Sequence, residues 1–270
     1  MSLISDGRRQ IKHAFEHNYA MPAFNIFSLE MARACVHAAE AEQAPIILQT
    51  YPGDLAQLPA NQAYALVRSL ADEVNVPIVL HLDHGESYEM VTRCLRAGYA
   101  SVMFDGADHT LEDNIDRTKE LSKLIQSVGA SLEVTADSFE DGDGLTDPQA
   151  AAKLLHEGAA TMVAVAVGSR HGQSSQLDIE HLSTIADKVK APLVLHGGSG
   201  IPAADLAEAT KLGVVKVNIG AALYRPVMRI WAESKSIGDH YKVVETIRSE
   251  LTEVARDKIR MMNASGKAKL

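Results

Sequence analysis

The sequence predicts an α/β protein built as a closed (β/α)8 barrel, a TIM barrel, with an extra C-terminal helix. Three observations carry the prediction. Short apolar runs alternate with helix-period segments eight times along 270 residues, the runs are apolar throughout rather than every second residue, and glycines close several helices just before the next run. Eight such units in a chain of this length favour closure over an open doubly wound sheet.

The first run covers residues 23–26 and leads into an amphipathic segment at 29–42. Pro45 marks the start of the second, 46–50, and Pro77 that of the third, 78–82, with helical segments at 61–73 and 88–96 after them. Runs at 101–104 and 131–135 precede helices at 111–127 and 148–156. The last three, 162–167, 193–195 after Pro192, and 214–219, precede helices at 179–188, 203–211 and 221–233. Gly98, Gly129, Gly158 and Gly213 stand where a left-handed residue ends a helix. A helical stretch at 241–262 is surplus to the count and suits a lid or a subunit contact. Neither a linker nor a repeat interrupts the pattern, so one domain over 1–270 is expected.

Composition narrows the partners. With 46% hydrophobic and 23% charged side chains the chain can bury a full core. A formal charge of −9 without a basic block argues against nucleic acid. There is no secretory apolar run at the N-terminus and no apolar stretch of about eighteen residues, so no membrane partner and a cytoplasmic location are expected. Cys35 and Cys94 fall in helical segments without a C-x-x-C spacing, which suits buried thiols better than a disulfide or a thiolate metal site.

In such a barrel the chemistry sits where strands end and βα loops begin. The residues there are polar: Asn25, Gln49, the run His81-Leu82-Asp83-His84-Gly85, Asp105, Glu133, the run Gly168-Ser169-Arg170-His171-Gly172, the run His196-Gly197-Gly198-Ser199-Gly200, and Asn218. One histidine is more commonly a hydrogen-bonded core residue than a ligand. Three at successive strand ends, His84, His171 and His196, point instead to a catalytic Zn2+ site, because three imidazoles leave a fourth position open. Asp83, beside His84, is the candidate base, its alternatives being a helix cap or a histidine-orienting carboxylate. Gly172, Gly197 and their neighbours let backbone N–H groups approach an anion, and Ser199 adds a hydroxyl. The acidic, glycine-bearing stretch 137–145 is expected to form a mobile loop on the catalytic face.

At these residues the sequence resembles the class II, metal-dependent ketose-bisphosphate aldolases, which act on fructose and tagatose bisphosphates. The resemblance spans essentially the whole chain through Pro22-Ala-Phe-Asn25, His81-Leu-Asp-His84-Gly85, Val102-Met-Phe-Asp105, Ser131-Leu-Glu133, Gly168-Ser-Arg-His171-Gly172, Leu195-His196-Gly-Gly-Ser-Gly200 and Lys216-Val-Asn218. It implies zinc on His84, His171 and His196, with Asp105 and Glu133 bearing on alternative metal positions. It further implies Asp83 as acid/base at the C4 hydroxyl, Asn218 against substrate, and Glu140 in proton transfer at C3. The implied reaction is reversible cleavage of the C3–C4 bond of a ketose phosphate through a metal-stabilised enediolate, by a homodimer or homotetramer.

The chain also departs from that pattern. The resemblance leads one to expect Glu-x-Glu-Leu-Gly after the fifth strand, where Glu133-Val134-Thr135-Ala136-Asp137 stands, and a lysine soon after Gly172, where Gln173-Ser174-Ser175-Gln176 stands. Ala221 replaces a usual threonine and Tyr51 a usual small hydroxyl residue. Losing several anion contacts worth about 1–3 kcal/mol each weakens a phosphate by tenfold or more unless another group compensates. Arg170 is the candidate, the alternative being a surface arginine paired with a carboxylate. Lys216 is either a further strand-end group or a barrel-interior lysine. Two other functions stay open: metal-dependent hydrolysis, disfavoured because residues 23–25 carry no His-x-His pair, and non-catalytic binding of a sugar phosphate or sugar acid, disfavoured by Asp83 beside three histidines.

Overall fold

The computed structural model describes residues 2–135 and 144–269, and Glu140 with most of the 137–145 stretch lies outside them. Eight parallel strands close in sequence order into a barrel. They are β1 (Met21–Asn25), β2 (Ile46–Thr50), β3 (Ile78–Gly85), β4 (Ser101–Asp105), β5 (Ser131–Thr135), β6 (Met162–Val165), β7 (Leu193–Leu195) and β8 (Val214–Ile219). Nearly every strand residue is buried, which is why the runs read as continuously apolar rather than alternating. Polar strand residues are buried as well, among them Gln49, His81, Ser101, Ser131, Glu133 and Lys216.

The helices are α1 (Gly7–Glu16), α2 (Leu29–Glu42), α3 (Pro52–Gln57), α4 (Ala60–Ala71), α5 (Tyr88–Ala97), α6 (Leu111–Ser127), α7 (Pro148–Gly158), α8 (Ile179–Val189), α9 (Ala203–Lys211), α10 (Ala221–Ile237) and α11 (His240–Met261). Among the described residues three of them, α1, α3 and α11, lie outside the eight-fold alternation. Asp6 caps α1 by accepting from the Arg8 and Arg9 amides, and Gly7 sets the helix against the Ala100 carbonyl and the Ser131 hydroxyl, where β4 and β5 begin. Only six residues long, α3 is held by Asp54, whose carboxylate accepts from the Tyr51 amide.

Gly98, Gly129 and Gly213 have positive φ, as the helix-closing pattern implies; after α7 the left-handed residue is Ala159, one past Gly158. The surplus C-terminal helix α11 packs on α2, where Glu42 receives Arg256 at 2.9 Å, Arg260 at 2.6 Å and the Ser265 hydroxyl at 2.9 Å. Both cysteines are buried. Among the described residues no helix is long and apolar enough to cross a membrane.

Candidate metal centre and catalytic cleft

The site begins with an irregularity in β3. Leu82 pairs with Val102 and Gly85 with Phe104, so Asp83 and His84 together face the single residue Met103. Two residues opposite one make a β-bulge, and the left-handed backbone of His84, φ 50°, absorbs the extra residue. Its ring and the neighbouring carboxylate thereby both reach the rim, where a regular strand would send one to each side. Gly85 completes the bend, since a Cβ there would lie 2.3 Å from the Met103 carbonyl oxygen.

His84 meets His171, from the loop after β6, and His196, from the end of β7. One ligating atom from each lies within 4.8 Å of the others. Carboxylates hold two of the rings from behind. His84 Nδ1 is 2.6 Å from Asp105 Oδ2, and His196 Nε2 donates to Glu133 Oε1 at 3.0 Å. Burial alone depresses the His84 imidazolium, but its hydrogen bond to Asp105 and the charges of Asp83 and Asp105 prevail and push it up to about 9. Asp105 correspondingly sits below the usual carboxylate range despite its burial, through the same contact. His196 is held well below its ordinary value, chiefly by burial, and so is the neutral ring a metal requires. Three convergent imidazoles, two oriented by carboxylates, fit a divalent ion.

Asp83 is locked by two amides. Asn218 Nδ2 donates to Oδ1 at 2.9 Å and Gln49 Nε2 to Oδ2 at 3.0 Å. The chain of contacts continues in both directions. Gln49 also donates to Asn25 Oδ1 at 3.0 Å, and Asn25 Nδ2 donates to Asp54 Oδ2 at 3.4 Å. On the other side Lys216 Nζ donates to Asn218 Oδ1 at 2.6 Å and pairs with Glu133 Oε2 at 2.9 Å. Lys216 is thus the barrel-interior alternative of the two that the sequence left open, and it joins the carboxylate behind His196 to the amide that holds Asp83.

A cleft of about 400 Å³ opens over these groups. Of the residues expected at the site from sequence, Asn25, Asp83, His84 and His171 line it, as do Gly172, Gly197, Ser199 and Asn218. Gln49, Asp105 and Glu133 stand behind that lining and act on it by hydrogen bonds. Arg170 has an exposed side chain, and its backbone N–H donates to Ser175 Oγ at 3.3 Å. The turn after β7 packs tightly on this loop: a Cβ on Gly200 would lie 1.8 Å from the Gln173 carbonyl oxygen. Lys258 of α11 donates from behind to the Ser199 carbonyl at 2.9 Å, and the Ala222 amide donates to Ser199 Oγ at 3.1 Å.

Sequence reasoning missed Tyr224, Gly220 and Asp54, and saw Tyr51 only as a replacement. Tyr51 and Tyr224 form one wall of the cleft, and the Tyr224 hydroxyl is buried beside Asp54. Burial raises the Asp54 carboxyl to about 7. Helix periodicity hid Tyr224, and nothing local distinguishes Asp54 from an ordinary helix-start aspartate.

Comparison with known proteins agrees with this geometry. A family model described as fructose-bisphosphate aldolase class-II matches residues 6–267. The fructose-bisphosphate aldolase of Mycoplasma pneumoniae is 32% identical over 284 aligned residues, covering 97% of this chain and 98% of its own. The 6-phospho-5-dehydro-2-deoxy-D-gluconate aldolase of Halalkalibacterium halodurans is 34% identical, covering 100% and 99%. Among solved structures, the YdjI aldolase from Escherichia coli K12 superposes with a TM-score of 0.89 at 30% identity, over 97% of this chain and 98% of that one.

Proposed function

Because the chain belongs to the class II fructose-bisphosphate aldolase family, we propose that it reversibly cleaves the C3–C4 bond of a ketose 1-phosphate or a related ketose, with zinc held by His84, His171 and His196. The observation that carries this reading is the β3 bulge, which sets Asp83 beside His84 on one rim, facing the other two histidines across the cleft. The chemistry a divalent ion supplies when bound is Lewis-acid stabilisation of the negative charge that develops beside the C2 carbonyl.

The chain's own residues do the rest. Asp83 takes the C4 hydroxyl proton as the bond breaks, and returns it in condensation. Its two amide partners fix both oxygens, so the hydroxyl is met by a carboxylate that needs no reorientation. Asp105 and Glu133 orient the ligand rings. Glu140 is assigned the proton transfer at C3. Gly172, Gly197 and Ser199, with the N-terminus of α10 at Ala221, receive the C1 anion through backbone N–H groups, Arg170 contributing charge from the loop.

Subunit association into a dimer or tetramer remains part of this reading, as does a cytoplasmic setting. The test is retro-aldol turnover of ketose phosphates by zinc-loaded protein. Chelation abolishes the activity, borohydride with substrate leaves it intact, and Asp83→Ala removes turnover while sparing bound metal. Inactivation by borohydride together with indifference to chelators would overturn the proposal.

A further inference from the structure

We propose that Arg225 of α10 is a positioning residue: its guanidinium fastens the loop after β6 to α10, and so sets His171 and Gly172, the two cleft residues at the tip of that loop. The inference rests on the reading of His171 as a zinc ligand and adds a residue that belongs neither to the ligand trio nor to the cleft lining.

Asp105 and Glu133 hold the rings of His84 and His196 from β4 and β5, inside the barrel wall. His171 lies past the end of β6 on a largely exposed segment. Gln173 N–H donates to the Arg170 carbonyl at 3.4 Å, Arg170 N–H to Ser175 Oγ at 3.3 Å, and Ser175 N–H to the Gly200 carbonyl at 3.4 Å. All three exceed the roughly 2.7–3.2 Å of a well-made N–H···O bond. Arg225 adds a bond of another kind. One guanidinium nitrogen donates to the Gly172 carbonyl, one residue past His171, and a charged donor makes a bond about twice as strong as a neutral one. Gly172 has φ 67°, and a Cβ there would sit 3.2 Å from that same nitrogen and 3.6 Å from the Ala221 Cβ, so the loop seats closely on α10.

The helix is a firm base for this reach. Its first turn is pinned to the β7 turn, where Ala222 N–H donates to Ser199 Oγ at 3.1 Å, and Arg225, three residues on, stands on the same helix face. Leu223 and Val227 on either side of it are buried. Among the described residues no carboxylate pairs with Arg225, whereas Arg229, one turn further, is held by Glu233 at 3.0 Å and by Glu250. The Arg225 charge is therefore directed at the loop. Its effect on a bound dication has a definite sign. By charge alone, a guanidinium near three imidazoles repels the ion, and deleting it tightens zinc. By position, deleting it loosens the segment that presents the third ligand, and zinc weakens. Arg225 is exposed, so solvent and salt screen the first effect, while the second acts through a direct bond and prevails.

The test is zinc affinity by competition with a chelator, read beside the urea unfolding midpoint. Arg225→Met should weaken zinc about three- to tenfold, less than the loss of a carboxylate bonded to a ligand ring itself, with the midpoint unchanged. Arg225→Lys should recover part of the loss. Arg229→Met, which removes an equal charge one turn away, should leave the affinity within about twofold. Unchanged or tighter zinc in Arg225→Met overturns the inference, as does an equal loss in Arg229→Met. Hydrogen exchange without added zinc judges the fastening by itself: peptides covering residues 168–176 should exchange faster in Arg225→Met than in the parent, and equal exchange overturns the inference whatever the zinc result. Failure of the unaltered protein to bind zinc, with exchange raised as expected, condemns the metal reading and leaves the fastening of the loop standing.

Discussion

Replacing Lys216 by methionine isolates the group that ties the histidine side of the cleft to Asp83. The ammonium and the Glu133 carboxylate are both fully buried and 2.9 Å apart, and the same nitrogen donates to Asn218 at 2.6 Å. Among the described residues, Lys216→Met leaves Glu133 with His196 at 3.0 Å and His81 at 3.4 Å. Burial holds both of those rings well below their ordinary value, so they offer hydrogen bonds in place of a full charge. Stranding one member of a buried pair costs about 3–5 kcal/mol, a large share of the roughly 5–15 kcal/mol available to a folded domain.

Equilibrium urea unfolding reads this as a midpoint lowered by about 1–2 M, for a slope of about 2–3 kcal/mol/M. The double variant Glu133→Gln, Lys216→Met removes the stranded charge and should recover at least half of the loss. Activity should not return with stability, because Asn218 has lost the donor that orients it toward Asp83. A single variant within about 1 kcal/mol of the parent, or a double variant no more stable than the single, would refute the account of Lys216 as the partner of a buried charge.

Three further outcomes follow from the same contacts. Burial raises the folded-state pKa of Asp54 to about 7, so its unfolded form ionises first and stability falls as pH rises from about 4 to 7. Asp54→Asn should flatten that slope in thermal unfolding and gain up to about 4 kcal/mol on the parent above pH 7; parallel pH profiles would count against it. Asp105→Asn should weaken zinc about 10–100-fold in competition with a chelator, because the carboxylate orients His84; unchanged affinity would contradict that role. Lys258→Met, which removes the donor behind the Ser199 carbonyl, should raise KM for the phosphorylated donor several-fold with kcat less affected, and Lys258→Arg should restore part of it. A fall in kcat alone would place Lys258 elsewhere in the cycle.

Much of the fold was legible because a doubly covered parallel strand must be apolar on both faces and a helix must carry a stripe. The eight runs match the eight strands, and their differences have local causes. The reading of β3 stopped at Leu82, where polar residues begin, though the strand continues through the bulge to Gly85. The reading of β6 overran by two residues, since apolar Ala166 and Val167 follow its end at Val165. Short α3 carries too few residues to show a period, and α1 precedes the alternation that revealed the others.

The amino-acid order by itself determined the barrel, the strand ends and the set of residues from which a site is drawn, because periodicity and turn chemistry act over a few neighbours. Only the tertiary structure decided how those residues divide the work. The bulge that turns Asp83 and His84 to one rim depends on pairing with β4, and the bond from Asn218 to Asp83 spans 135 residues of chain. The Asp54 wall likewise exists only once β1, α3 and α10 meet. Such contacts come from strand register and burial, quantities set by the closure of the whole barrel and carried by no local stretch of sequence.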